Sequence, residues 1–168
     1  MGQPRERRLI AEYVALKFPD RRVTLGCPLG PAIYRGEDVG DDLLALAISR
    51  PWRLEVDALV VMDGALLLIE GKIQKWVDGM AKLPLYGSLV DTTPELAGYQ
   101  GWERKLRLVI PWTMPQMEAT AKNLGVELDV FAPDWIHEYV ATLHSYWTRE
   151  YQEARQGKAA LRRKLGVD

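Results

Sequence analysis

The stretch that decides the fold is RLEVDALVVMDGALLLIEGKI, residues 53–73. Residues 53–62 and 65–73 are two β-prone apolar runs, and only Asp63-Gly64 separates them. Asp-Gly between such runs is the strongest short-range hairpin signal, because a type I′ turn needs positive φ at both central positions. Both faces of the runs are largely apolar, which predicts a hairpin inside a sheet covered on both sides. A two-residue turn fixes the partners: Met62 faces Ala65, Asp57 faces Glu70 and Glu55 faces Lys72. Side chains alternate across a strand, so Glu55, Asp57, Glu70 and Lys72 share one face.

Burying these charges is costly unless they pair or bind a cation. Two carboxylates set opposite each other repel, and a divalent metal relieves the repulsion. Carboxylate oxygens at strand ends suit Mg²⁺ or Mn²⁺, which keep waters and accept phosphate oxygens. A metal-bound water is a better nucleophile, and Lys72 can orient it or stabilise developing negative charge. The pattern therefore holds the parts needed for phosphodiester hydrolysis. The structural alternative is an ion-pair cluster at a sheet end, with Lys72 held by Glu55 and Glu70.

At these residues the chain resembles the PD-(D/E)XK nuclease superfamily, which includes restriction enzymes, junction resolvases and recombination exonucleases. The resemblance rests on Asp57 and, thirteen residues later, Glu70-Gly71-Lys72 closing the apolar run LLLIEGK. It implies an α/β fold: a mixed central sheet flanked by helices, with a restriction-endonuclease-like αβββαβ core. It also implies that Asp57 and Glu70 bind metal, that the Gly71 carbonyl completes the shell and that Lys72 assists catalysis. Several members add a glutamate from the first helix, a place that Glu12 would fill. Gln74 lies on the face of Glu70 and Lys72 if the strand continues, within reach of substrate. Val56 rather than proline precedes Asp57, and the glutamine–tyrosine signature of the recombination-exonuclease branch is not evident after Lys72.

Outside the hairpin, residues 5–18 carry a rough helical stripe ending before Pro19. Residues 23–27 alternate as a short strand, and the four glycines of residues 26–40 mark a loop. That loop is no P-loop, since no Gly-Lys-Ser/Thr follows. Asp41 or Asp42 caps a short helix through Ile48. Residues 75–101 give no clear reading beyond Thr93-Pro94-Glu95, an N-cap with proline at the first helical position. A strand at 106–112, a helix at 115–124 closed by Gly125 and a strand at 126–131 follow. From Asp134 one long helix is expected to about Arg155, with a further turn after Gly157.

With 168 residues, no internal repeat and an ordinary soluble composition, the chain reads as one nuclease-like domain with a basic helical tail over about 134–168. The formal net charge of −1 means that any nucleic-acid surface must come from local clustering. Arg149, Arg155, Lys158, Arg162, Arg163 and Lys164 on the tail could grip phosphates, although cations near a helix C-terminus are also favoured by its dipole. His137 and His144 share a helix face with no cysteine nearby, the pattern of ordinary helix residues rather than zinc ligands. The lone Cys27 excludes an internal disulfide and fits a reducing, cytoplasmic setting. No apolar run approaches the ~18–20 residues of a bilayer span, and the polar start is no signal peptide.

The first functional expectation is a Mg²⁺- or Mn²⁺-dependent nuclease acting on DNA. The loop at 26–40, the segment at 75–101 and the basic tail would wall its substrate path. The second is a non-catalytic binding or assembly module on the same fold, as a homodimer or within a phage or mobile-element particle. Paired carboxylates also serve glycosidases, but nothing else in the chain suggests a sugar cleft.

Overall fold

A computed structural model of the chain describes residues 4–38, 40, 42–145 and 148–165. It divides into two compact units, Met1–Phe131 and Ala132–Asp168. The first holds α1 (Pro4–Lys17), β1 (Arg22–Leu29), β2 (Ile33–Tyr34), β3 (Glu37–Asp38) and α2 (Leu43–Ser49). A 3-10 turn, Arg50–Trp52, leads into β4 (Leu54–Val61) and β5 (Ala65–Gly71). Then come α3 (Trp76–Leu89), two more 3-10 segments, β6 (Glu103–Ile110), α4 (Pro115–Leu124) and β7 (Val126–Val130).

Five strands form one sheet in the order β1-β4-β5-β6-β7. The β1–β4 and β4–β5 pairs are antiparallel, while β5–β6 and β6–β7 are parallel. The fold is thus a mixed sheet flanked by helices, and α1, β1, β4, β5, α3 and β6 supply the αβββαβ order of a restriction-endonuclease-like core. Every residue of the central β5 is buried, as two apolar faces require. Each leucine hidden there contributes about 1.5–3 kcal/mol of transfer free energy.

The hairpin register is the expected one, running from Val61↔Leu66 to Ala58↔Ile69. Its turn differs from expectation. Only Gly64 takes positive φ, at 76°, and Asp63 does not. Asp63 carries a Cβ that disfavours the left-handed region, and its carboxylate is held by Arg21 at 2.8 and 2.9 Å. Positive φ at the second turn residue alone is the demand of a type II turn.

Two close approaches set the helices on this sheet. A Cβ at Gly71 would stand 2.5 Å from Ile10 Cγ1, so glycine lets α1 lie against β5. On α3, a Cβ at Gly79 would stand 2.6 Å from Lys72 Cγ and 2.9 Å from Leu108 Cδ1. The α3 helix was not legible in the sequence because Gly79, Pro84 and Gly87 lower its intrinsic propensity. Buried Met80, Leu83 and Tyr86 hold it in the core instead. Thr93 takes the expected N-cap position, with Pro94 opening a 3-10 segment, Pro94–Tyr99, but its hydroxyl makes no capping bond: it donates to the Leu89 carbonyl and accepts the Gly30 amide, both at 2.8 Å. Asp42 does cap α2, accepting the Leu44 and Ala45 amides at 2.9 Å.

In the second unit, the single long helix expected from Asp134 is two, α5 (Asp134–Ser145) and α6 (Arg149–Leu165). The Thr148 carbonyl accepts the Gln152 amide at 3.1 Å, so α6 starts its own ladder and runs straight through Gly157. Among the described residues no helix is long and apolar enough to cross a membrane.

Candidate functional site

The site forms where β5 parts from β4. The hairpin ladder ends at Ala58↔Ile69, while β5 continues along β6 to Gly71↔Val109, and the Lys72 amide donates to the Val109 carbonyl at 2.9 Å. Asp57 stands at this fork, and its Oδ2 accepts the Gly71 amide at 2.9 Å. Glu70 and Lys72 are buried, at 3% and 6% exposure, and Lys72 Nζ lies 2.9 Å from Glu70 Oε1. Asp57, Glu70, Gly71 and Lys72 therefore come together.

The fourth member expected from the register, Glu55, does not meet Lys72. Once the strands part, the extrapolated pairing no longer applies. Glu55 instead turns toward Arg7 at 3.9 Å and Arg50 at 3.7 Å. It lies over Gly26, where φ is 60° and a Cβ would stand 3.1 Å from Glu55 Oε1.

The second partner of Lys72 is Glu6, on the first turn of α1. Glu6 Oε2 lies 3.3 Å from Lys72 Nζ, and Oε1 accepts the Ile73 amide at 3.4 Å. Glu6 is 8% exposed and in phase with the buried stripe Leu9, Ile10, Tyr13 and Val14. That phase is the signal that could have found it: an acid on the apolar face of a first helix. Glu12 falls off the stripe and pairs with Arg8 at 2.7 Å, one helical turn away. Gln74 is exposed beyond the end of β5, because the chain turns there toward α3.

Three carboxylates thus surround one ammonium. Glu70 is pushed up to about 7, first by burial and then by the charge of Asp57, against the opposing pull of Lys72. Asp57 is also raised, again chiefly by burial, with the Gly71 amide and Lys72 opposing. For Lys72, burial disfavours the charge, but Glu70, Glu6 and Asp57 outweigh it and hold the ammonium above its usual range. Glu70 Oε2 is buried with no hydrogen-bond partner. An orphaned carboxylate oxygen beside a second carboxylate is a donor set of the kind hard cations take. Among the described residues no three His, Cys, Asp or Glu side chains converge on a metal position, so backbone and water would have to complete any shell.

Asp57 opens into a cleft of about 580 Å³ lined by Pro4, Arg7, Arg8 and Ala11 of α1 with Leu25, Gly26, Arg50 and Glu55. Its cations come from the N-terminal helix and from the turn after α2, not from the segments expected to wall the path. Arg50 also donates to the Gly26 carbonyl at 2.9 Å. The basic tail residues Arg149, Arg155, Lys158 and Arg162 are exposed on α6 in the second unit, with Arg149 paired to Glu153 at 2.8 Å. The side chains of Arg163, Lys164 and His144 lie outside the described residues, and His137 is exposed on α5. Cys27 is buried and unpaired, its thiol pushed up to about 11 chiefly by burial.

No family model matches the chain, and no curated protein matches it. Among solved structures it is similar to a repair endonuclease from Pyrococcus abyssi, at a TM-score of 0.44 and 15% identity over 79% of this chain and 50% of that one. A protein of unknown function gives 0.45 and 12% over 73% and 56%. A protein from Vibrio cholerae gives 0.41 and 21% over 82% and 31%. The chain spans about half the length of the first two and about a third of the last.

Proposed function

We propose that this chain is a divalent-metal-dependent nuclease that hydrolyses phosphodiester bonds of DNA at Asp57, Glu70 and Lys72. The observation that carries the reading is the buried, unpartnered Glu70 Oε2, whose carboxyl feels the charge of Asp57, the acid that lines a cleft rimmed by Arg7, Arg8 and Arg50. Asp57 and Glu70 would hold Mg²⁺ or Mn²⁺, with the Gly71 carbonyl as the proposed backbone ligand. Such an ion, when bound, lowers the pKa of a coordinated water and neutralises charge on the phosphoryl oxygens.

The chain's own residues do the rest. Lys72 stays charged because Glu70 and Glu6 hold it, so it presents a fixed positive charge to the negative charge that develops during hydrolysis. Glu6 is a positioning residue in this scheme. Arg7 and Arg50 share Glu55 in the free protein, and a substrate phosphate is the natural replacement for that carboxylate.

One observation favours the second reading, a non-catalytic module: Lys72 is nearly sealed between two carboxylates, as an inert ion pair would be. Cleavage decides between them. The purified protein is incubated with labelled single-stranded, duplex and branched DNA, and with an RNA strand, in Mg²⁺, Mn²⁺ or EDTA. DNA cleavage that requires the metal is expected. Cleavage that persists in EDTA, or none on any substrate, contradicts the proposal.

A further inference from the structure

The face next to the cleft carries aromatic surface that the fold does not use. Trp52 is 71% exposed, in the same 3-10 turn as Arg50. Its ring stands 6.4 Å from that of Tyr34, tilted by 59°. Arg35 lies over the other ring of this pair, its guanidinium carbon 5.2 Å from the Tyr34 centroid. Arg35 is also the one non-glycine residue with positive φ, at 54°, among the described residues. A left-handed conformation is disfavoured for such a residue, and here it occurs at a turn that sets a cation on an aromatic face.

We infer that Trp52 and Tyr34, with Arg35 and Arg50, form a stacking track for single-stranded nucleic acid that leads into the cleft at Asp57. The inference rests on the nuclease reading and names its substrate class. Every base has a π-face, so the exposed Trp52 beside the half-buried Tyr34 can hold a strand without reading its sequence, provided the bases are unpaired. Charge complementarity runs along the same path, since Arg50 belongs both to the turn bearing Trp52 and to the cleft lining. Asp57 lies five positions after Trp52, no more than about 17 Å at a strand rise of ~3.3 Å, which a few nucleotides span. Exposed Leu43, Leu44 and Ile48 of α2 make a second copy of this chain the competing occupant.

The test is fluorescence anisotropy in EDTA, where no metal-dependent cleavage occurs, with labelled dT12 and a 12-base-pair duplex as probes. The wild type is expected to prefer the single strand. Trp52→Ala should weaken dT12 binding about tenfold, and Trp52→Phe should restore most of it. Arg50→Ala should lower the salt slope by about one. Because Trp52 is exposed, the unchanged melting temperature of Trp52→Ala would verify its fold, and Tyr34→Leu gives an independent second arm. Equal binding of duplex and single strand, or dT12 binding unaffected by both aromatic substitutions, overturns the inference. So does a Trp52→Ala protein that binds as the wild type but loses self-association in sedimentation, which assigns the face to a second copy. Tryptophan-dependent binding without any cleavage would sink the nuclease reading alone, and cleavage with tryptophan-independent binding would sink this one alone.

Discussion

Asp57→Asn is expected to lower metal-dependent cleavage at least about a hundredfold while leaving the fold intact. The amide oxygen of asparagine can still accept the Gly71 amide that Asp57 holds at 2.9 Å, so the fork between β4 and β5 keeps its hydrogen bond. What disappears is the negative charge. Loss of a mere outer-shell partner of a metal site costs roughly 10–100-fold, and a direct ligand should cost no less. Thermal stability should hold or rise, because burial already disfavours the Asp57 carboxylate and its charge opposes that of Glu70. The check is a cleavage rate in Mn²⁺ beside a melting curve. A variant that melts normally and cuts within threefold of the wild type would remove Asp57 from the mechanism.

Lys72→Met should show the second large effect, and its size should depend on pH. Methionine fills the stem's volume but leaves Glu70 and Glu6 without the ammonium they share at 2.9 and 3.3 Å. Breaking a buried ion pair on one side costs about 3–5 kcal/mol when the remaining charge cannot escape. Here it can escape by taking up a proton. Glu70 already titrates near 7 in the folded chain, above its ordinary value, so the folded state binds protons more tightly than the unfolded one. Its contribution is fully present below the unfolded pKa and is lost as pH rises through the folded one. Without Lys72 that folded value moves higher still. Denaturant melts should therefore show a loss of a few kcal/mol at pH 8 and a smaller one near pH 5. Adding Glu70→Gln should return stability at pH 8 without returning cleavage. A pH-independent loss would mean that stem packing, not charge, is what Lys72 supplies.

A contact was legible in the sequence where it is local. The Asp63-Gly64 turn and the apolar runs beside it placed β5 at the centre of the sheet, and the register could be counted from the turn as far as Ala58↔Ile69, one pair short of Asp57 and Glu70. The same counting misplaced Glu55, because β5 leaves β4 beyond Ile69 to follow β6, a departure set by parallel pairing with a distant strand. Glu6 was readable in principle, being in phase with Leu9 and Ile10, but Glu12 sat nearer the place that the family resemblance suggested. The α3 helix was hidden by the glycines that let it approach the sheet, a case of packing overriding propensity. The arginine cleft could not be read at all. Arg7 and Arg8 are far from Arg50 in the chain, and only the fold sets the three around Asp57.

The central claim is that Asp57 and Glu70 form a cation site, and proton-coupled Mn²⁺ calorimetry tests it most directly. A carboxylate titrating near 7 must give up its proton to take a metal, so binding near pH 6.5 should release protons. Titrations in two buffers of different ionisation enthalpy measure that release. Mn²⁺ binding with a fractional proton expelled is expected, with the proton release lost in Glu70→Gln and the binding itself lost in Asp57→Asn. Absence of Mn²⁺ binding, or binding that both substitutions leave unchanged, would contradict it.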